Sequence, residues 1–164
     1  MKTIAYLFVV AALPLMFFSC SSESIDDAVN NTELNLSAPE EKAIEKEILV
    51  LINTYRQDLG LNSLSDLEIV RSVAFSHTDY MVKTNDVSHA NFHKRSEYLM
   101  ENASADKVSE NVAYGYTSAE TVVKAWIASE GHKANIVGDY TDFGLSAEQD
   151  VNGKWYFTNI FIKK

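Results

Sequence analysis

The sequence predicts an α+β domain, because helical periodicity fills most of the chain and a hairpin pattern closes it. Apolar residues recurring every three or four positions indicate two long helices early in the chain and a third after residue 117. Asn152-Gly153, set between aromatic and β-branched residues, predicts a terminal β-hairpin with positive φ at both turn positions. With 164 residues and 46% hydrophobic content, the chain has room for one globular domain, which we place at residues 39–164.

Residues 1–19 have the pattern of a secretion signal. Lys2 precedes an apolar run at residues 4–18 that is too short for a comfortable membrane crossing. Cys20 follows it, as in bacterial lipoprotein signals, whose cleavage leaves a lipid-modified N-terminal cysteine. An ordinary signal peptide with an incidental cysteine is the alternative. We interpret residues 20–38, which are polar and acidic, as a lipid-anchored flexible tether that holds the domain outside the cytoplasm, in the cell envelope at the outer membrane.

The charge balance argues against one class of partner. The formal net charge is −9, and the acidic residues are spread along the chain. Such a surface repels phosphate backbones, so we expect no nucleic-acid partner. Contact with a membrane is expected only through the N-terminal anchor.

The first two helices are predicted from their apolar faces. The first is expected to begin at Pro39 and to end at Gly60. Asp66 is expected to cap the second, whose apolar face carries Leu67, Val70, Val73, Ala74, His77 and Met81. A histidine on such a face is more often packed or hydrogen-bonded than a ligand, so His77 is assigned to the core.

The rest of the chain is predicted as shorter elements. Residues 84–92 should form a loop, residues 95–100 a short helix and residues 103–109 a polar connection. The third long helix is expected to be capped by Thr117, with Glu120 completing a capping box, and to end at Gly131. Residues 133–137 should add a helical turn before hairpin strands at residues 143–149 and 154–162.

The candidate functional residues are histidines and a glutamate in polar settings. Glu110 precedes the third helix and His132 follows it, while His89 lies in the exposed loop at residues 84–92. Imidazole and carboxylate groups together can hold a metal, exchange a proton or orient a polar ligand. The chain contains no HExxH, CxxC or GxSxG motif that would select one of these chemistries.

At these residues the chain resembles the CAP superfamily of cysteine-rich secretory, antigen 5 and pathogenesis-related proteins, most nearly its compact bacterial branch. The resemblance runs through residues 41–161. It includes Asn53-Thr54-Tyr55-Arg56, Ser88-His89, Glu110-Asn111-Val112-Ala113-Tyr114-Gly115, Trp126, Gly131-His132-Lys133-Ala134-Asn135-Ile136 and Thr158-Asn159-Ile160-Phe161. It implies a three-layer α-β-α sandwich with a small antiparallel sheet and a central cleft lined by two histidines and two glutamates.

Carried over by position, the resemblance implies that His89, Glu110 and His132 line the cleft. Ser129 stands where the family has its second glutamate, and Glu130 beside it is rotated about 100° around the helix. An acid/base pair of carboxylates is therefore incomplete. The family's usual disulfides cannot form, because Cys20 is the only cysteine.

Three functions remain open at this point. In the first, which the missing carboxylate favours, the cleft of His89, Glu110, Ser129 and His132 binds a small molecule, a lipid-like molecule, a peptide or an envelope fragment. Zinc or another divalent cation on His89 and His132 would accompany that ligand. In the second, the same metal serves a hydrolase in which Glu110 activates water. In the third, Ser129 is the nucleophile of an enzyme and acts together with His132. This function is disfavoured because Gly131 is expected to break the helix between the two residues.

Three further residues are assigned supporting roles. Asn111 is expected to fix the loop that presents Glu110, through its amide donors and acceptor. Arg95 is expected either to pair with an acidic group near the cleft or to lie on the surface. Trp126 is expected to form core or cleft wall.

Overall fold

The computed structural model describes residues 36–164, so the predicted signal, Cys20 and most of the predicted tether lie outside the described residues. Five helices and four strands occur in the described part. In chain order they are α1 (Ala43–Asp58), β1 (Ser65–Asp66), α2 (Glu68–Thr84), α3 (Phe92–Ala103), β2 (Lys107–Tyr114), α4 (Ala119–Ala128), α5 (Glu130–Ile136), β3 (Asp142–Gln149) and β4 (Trp155–Lys163). Between residues 36 and 164, no helix combines the length and apolar composition needed to cross a membrane.

The strands form one mixed sheet in the order β1-β3-β4-β2. β4 pairs with both β2 and β3 in antiparallel register, and its pairing with β3 is the predicted hairpin. β1 adds to these antiparallel strands by pairing with β3 in parallel, so the sheet as a whole is mixed. The short strand is fixed by two backbone hydrogen bonds, from Ser65 N to Thr141 O and from Leu67 N to Phe143 O. β2 and β1 are therefore the edge strands.

Side-chain alternation along β4 divides the core into two halves. Phe157 and Phe161 face a cluster that includes Ile52 of α1 and Trp126 of α4. Ile160 and Ile162 face the opposite way, into a cluster built mainly by α2 and α3. Successive residues of a strand point to opposite faces, so α1, α4 and α5 form one layer and α2 and α3 the other. The three-layer α-β-α arrangement is confirmed.

α2 lies unusually close to the sheet at Gly144. A Cβ atom at this position would come within 2.3 Å of Arg71 N and 2.6 Å of the Val70 carbonyl carbon. Both are backbone atoms of α2, so no side-chain movement could relieve the contact. Glycine at residue 144 is therefore what lets α2 pack directly on β3.

Three predicted helix starts are wrong by a few residues. α1 begins after Pro39, because the Glu45 side chain accepts a hydrogen bond from Lys42 N at 2.6 Å and caps the helix there. Asp66 lies in β1, so Leu67 is the N-cap of α2. Ser118, not Thr117, is the N-cap of α4, and its capping box is completed by Thr121. A helix start is set by the side chain that hydrogen-bonds the free backbone N–H groups there. Several neighbouring residues could each supply that side chain, so the sequence does not select one of them.

α3 is longer than expected, and β2 is a strand that the sequence did not predict. α3 spans Phe92–Ala103 rather than residues 95–100, and β2 begins at Lys107 within the predicted connection. The pairing of β2 with β4 extends from Lys107 to Tyr114. Glu110 and Asn111 therefore lie in a strand and not in a loop.

The break after α4 falls at Ser129, two residues before the predicted Gly131. Ser129 has extended φ and ψ and serves both as the C-cap of α4 and as the N-cap of α5. Gly131 lies within α5 and has space around its Cα, so nothing there requires a helix end. His132 is consequently a helical residue in the first turn of α5.

The terminal hairpin is confirmed, with a different turn. Of the two turn residues, only Gly153 has positive φ, at +75°. Gly153 N donates to Asp150 O, and the Asp150 carboxylate accepts from Asn152 N and Lys154 N. The Asp150 side chain thus organises a three-residue loop, which needs only one left-handed residue.

Candidate functional site

The candidate site lies at the free edge of β2. Glu110 is on the face of this strand that packs against α2 and α3, and its side chain is 1% exposed. The outer carbonyl groups of the strand are covered by side chains from the other layer. Trp126 Nε1 donates to Val112 O at 3.2 Å, and Asn135 Nδ2 donates to Glu110 O at 3.2 Å. Elements from both layers therefore meet at this edge.

Arg95 of α3 holds the Glu110 carboxylate in a bidentate ion pair. Arg95 Nε lies 2.8 Å from Glu110 Oε2, and Arg95 Nη2 lies 2.8 Å from Glu110 Oε1. Arg95 Nη1 also donates to Ala90 O at 2.7 Å, which ties the loop before α3 to the same guanidinium group. Arg95 is buried, so of its two predicted positions the acidic pairing is the one observed.

His89 contacts the same carboxylate from the loop. Its Nδ1 lies 2.8 Å from Glu110 Oε1, and its side chain is about half exposed. An ionised carboxylate only accepts hydrogen bonds, so Nδ1 carries the proton and Nε2 has the free lone pair. Glu110 thus fixes both the orientation and the tautomer of His89, as carboxylates do for histidines at binding sites.

His77 of α2 completes the buried part of this cluster. Its Nε2 donates to Ser88 O at 2.7 Å and lies 3.8 Å from Glu110 Oε1. The packed and hydrogen-bonded role predicted for His77 is confirmed, and the contact with Ser88 also holds the loop that carries His89. The ring stacks on Tyr80 one turn later, with 5.9 Å between centroids.

The electrostatics of the cluster keep Glu110 ionised and His77 neutral. Burial acts to raise the pKa of Glu110, but hydrogen bonds from His89 and Arg95 outweigh it and leave that pKa lowered. Burial lowers the pKa of His77, and the attraction of Glu110 offsets this only in part. The buried Glu110 charge is therefore balanced mainly by the buried guanidinium charge of Arg95.

α5 is held to β2 by a pair of asparagines. Asn111 Nδ2 donates to His132 O at 3.0 Å, and Asn135 Nδ2 donates to Asn111 Oδ1 at 2.8 Å. Asn111 thus uses its donor and acceptor as predicted, but it holds α5 and not a loop at Glu110. At the other end of α5, Arg56 Nη1 donates to Ile136 O at 2.7 Å.

Ser129 and His132 are hydrogen-bonded to each other. Ser129 Oγ lies 2.9 Å from His132 Nδ1, and His132 Nε2 remains for a ligand. The predicted helix break at Gly131 does not separate them, because the break is at Ser129 itself. Burial and the nearby His89 imidazole lower the pKa of His132, which favours the neutral ring.

The structure brings the predicted residues together in two groups. His89, Glu110 and Arg95 are in direct contact, and Ser129 and His132 form a second pair on the other side of the strand edge. Within residues 36–164, no three histidine, cysteine, aspartate or glutamate side chains are arranged to hold a metal ion. His89, Glu110 and His132 therefore do not form a three-residue metal group in the described part of the chain.

Two residues of the site had no functional assignment from sequence. His77 was placed in the core, and its apolar helix face gave no sign that its ring nitrogen would meet Glu110. Asn135 follows His132 at helical spacing and shares its polar face of α5, a signal that could have linked the two residues.

The sequence matches the CAP family, described as the cysteine-rich secretory protein family, over residues 49–161. The chain belongs to this family. Two relatives come from Bacillus subtilis (strain 168): the uncharacterized membrane protein YlbC, 34% identical over 124 residues, and the uncharacterized protein YkwD, 34% identical over 119 residues. These matches cover 73% and 70% of this chain but only 34% and 46% of the relatives, so the chain spans less than half the length of either.

Solved structures with the same fold come from several bacteria. An outer surface protein from Borrelia burgdorferi superposes with a TM-score of 0.65 at 22% identity, over 73% of this chain and 91% of that one. A cysteine-rich secretory protein from Staphylococcus aureus gives 0.64 at 18% identity, over 78% and 41%. An extracellular protein with an SCP domain from Bacillus anthracis gives 0.64 at 22% identity, over 78% and 45%. These likenesses establish the CAP fold.

Proposed function

We propose that this CAP domain is an exported binding module. Its cleft at the free edge of β2 takes an organic ligand, of the class of a peptide, a lipid-like molecule or a cell-envelope fragment, through the outward nitrogens of His89 and His132. Glu110, Arg95 and Ser129 orient these two rings.

One observation carries the proposal: both oxygens of Glu110 are already engaged. Oε2 accepts from Arg95 Nε, and Oε1 accepts from Arg95 Nη2 and His89 Nδ1. A carboxylate that activates water must have a lone pair directed at that water and must take its proton. A guanidinium clamp that lowers the pKa of Glu110 opposes both requirements.

A hydrolase is less well supported for the same reason. The position of the family's second glutamate is occupied by Ser129, whose hydroxyl group contacts His132. No other carboxylate among the described residues hydrogen-bonds His89 or His132, so neither ring is paired with a second carboxylate. The Ser129–His132 contact meets the distance requirement for an activated nucleophile, but the ring lacks the acidic partner that orients such a histidine.

A divalent metal fits this site only in part. His89 Nε2 and His132 Nε2 are the two imidazole nitrogens that we propose face the cleft, and structural zinc sites need four protein ligands. A third protein ligand is missing within residues 36–164. We therefore expect any zinc to bind weakly and to exchange readily, as an accompaniment of the ligand and not as part of the fold.

Zinc calorimetry of the purified protein at pH 7.5 tests the arrangement of the two rings. We expect weak binding of one zinc ion per chain, which is abolished in His89→Ala and in His132→Ala. His93→Ala is the matched control, because His93 is an exposed histidine on α3 that has no role in the proposed cleft. Equal binding by all three variants would show that the cleft is not the site, whereas no binding by the wild type would restrict the cleft to organic ligands.

Binding of envelope material tests the ligand class. Fragments from digested cell envelopes, added to the isotopically labelled protein, should shift the nuclear magnetic resonance (NMR) signals of the His89 and His132 rings. The His93 signals should not move. Shifts spread evenly over all histidines would contradict a defined cleft, and turnover of the fragments would favour the hydrolase.

The position of the protein in the cell is proposed from its relatives and its N-terminus. The Borrelia neighbour is an outer surface protein and the Bacillus anthracis neighbour is extracellular. We propose the same location here, with Cys20 carrying a lipid anchor. Replacing Cys20 with alanine should abolish labelling by a fatty-acid probe and release the protein from the membrane fraction. Persistent labelling of this variant would contradict the anchor.

A further inference from the structure

Buried polar atoms without a partner are concentrated under α5. Among residues 36–164, four buried side-chain atoms make no hydrogen bond within the protein: Ser109 Oγ, Ser146 Oγ, Asn159 Nδ2 and Asn159 Oδ1. Asn159 is 0% exposed and lies in the central strand β4. A buried amide with neither atom paired is rare in folded proteins and calls for a specific explanation.

Strand register places three of these atoms on one face of the sheet. Asn159 is directly opposite Asn111, and Ser109 is opposite Phe161. Side chains alternate along a strand, so Ser109 and Asn111 share a face of β2, and Asn159 and Phe161 share that face of β4. Asn111, on this same face, is bonded to His132 O and to Asn135 of α5. Ser109 and Asn159 therefore lie beneath α5, diagonal to each other across Asn111.

Ser146 lies on the other side of the sheet. It is next to Gly144 on the face of β3 that α2 covers, and its strand partner is Thr158. Thr158 Oγ1 is hydrogen-bonded to Thr78 of α2. Ser146 thus provides a natural comparison, with the same buried hydroxyl group in the same sheet but away from α5.

We propose that Ser109, Asn159 and Asn111 form a buried water site, and that this site positions His132 through Asn111. A water molecule needs two to four polar partners in a buried position. Asn159 offers a donor and an acceptor, and Ser109 offers a hydroxyl group that can act as either. Asn111 has one amide hydrogen and one lone pair beyond its contacts with His132 and Asn135. These groups suffice for a fully satisfied network.

Asn111 alone connects the proposed water site to His132. Asn111 Nδ2 donates to His132 O at 3.0 Å, while Asn111 Oδ1 accepts from Asn135 one turn along α5. A seven-residue helix is not stable alone, so its position depends on its tertiary contacts. Water bonded to Asn159 and Ser109 would restrict the rotation of Asn111, and hence the placement of the His132 ring. This assignment of Asn159 and Ser109 as positioning residues rests on the proposed role of His132 in the cleft.

NMR on the full chain detects the water site directly. The Asn159 side-chain amide should show nuclear Overhauser effects of opposite sign to those of surface amides at the water frequency, because a buried water molecule stays longer than the protein tumbles. Absence of these effects in the wild type, with the Asn159 amide assigned and visible, would overturn the proposal. This measurement does not depend on any variant folding.

A pair of matched variants tests the positioning. Ser109→Ala should shift the His132 ring signals and speed exchange of the Asn111 side-chain amide roughly two- to tenfold, the range expected for one net hydrogen bond. Ser146→Ala should change neither quantity. Asn159→Leu, which removes both orphan atoms, should produce a larger His132 shift where it folds. Equal responses to Ser109→Ala and Ser146→Ala would overturn the positioning role.

These results are separable from the proposed function. If Ser109→Ala moves the His132 signals but neither zinc nor envelope fragments bind the wild type, the water site stands and the binding cleft fails. If the wild type binds while Ser109→Ala leaves His132 unmoved, the cleft stands and the positioning inference fails.

Discussion

Removing Arg95 should reveal how strongly the fold depends on the clamped carboxylate. Arg95→Met keeps much of the apolar stem but deletes the two 2.8 Å contacts with Glu110 and the 2.7 Å contact with Ala90 O. Glu110 would then be a buried charge with imidazole partners only. Breaking a buried ion pair by removing one partner typically costs about 3–5 kcal/mol, and we expect a loss in that range at pH 7.

The assay is urea unfolding followed by circular dichroism, in a double-mutant cycle with Glu110→Gln. The double variant should be less destabilised than the sum of the two single variants, because a neutral glutamine amide leaves no charge unpaired when the guanidinium group is removed. Lys83→Ala is the control: Lys83 pairs with Asp79 at 2.6 Å on the surface, where such a pair is worth about 0–1 kcal/mol. Additive single effects, or an Arg95→Met cost no larger than that of the control, would refute the buried-clamp reasoning.

Three further predictions concern packing, the turn and pH. Gly144→Ala should destabilise the protein by about 1–3 kcal/mol or more, because its Cβ would clash with the backbone of α2. Gly131→Ala, in open space within α5, should be neutral or stabilising by up to about 1 kcal/mol. Equal melting temperatures of the two variants would contradict the close approach of α2. Gly153→Val should cost about 1 kcal/mol or more through its positive φ alone, as thermal melting would show. Burial lowers the pKa of His77 in the folded protein below its value in the unfolded chain. As the pH falls below about 6.5, the unfolded chain therefore binds a proton more readily than the folded protein does, and the free energy of unfolding should decrease. His77→Gln should show a smaller loss between pH 7.5 and 5.5 in urea titrations, and an unchanged pH dependence would argue against this assignment.

Much of the fold could be predicted because it is encoded in short-range patterns. The apolar faces of α1 and α2, the end of α1 near Gly60 and the terminal hairpin all follow from spacings of two to four residues. The errors are at element boundaries and in the strands β1 and β2, which the local patterns did not predict. The hydroxyl of Ser118 caps α4 although Thr117 offered the same group, and Ser129 ends α4 although Gly131 had the greater backbone freedom.

The residues of the candidate site could be named from the sequence, but their roles could not. The family pattern selects His89, Glu110 and His132, and it shows that Ser129 replaces the family's second glutamate. Whether Glu110 is free to react depends on Arg95, which lies fifteen residues away on a different element. Whether Ser129 can reach His132 depends on the residue at which two helices meet.

The sequence by itself determined the apolar faces of the long helices, the terminal hairpin and the identity of the candidate polar residues. Periodicity and turn chemistry involve residues close together in sequence, so they can be recognised without the tertiary structure. Only the tertiary structure decided that Arg95 and His89 engage both oxygens of Glu110, that His77 lies beside it, and that Asn159 makes no side-chain hydrogen bond within the protein. These facts depend on strand register and helix packing, where a shift of one residue would turn each side chain to the opposite face of its strand or well around its helix.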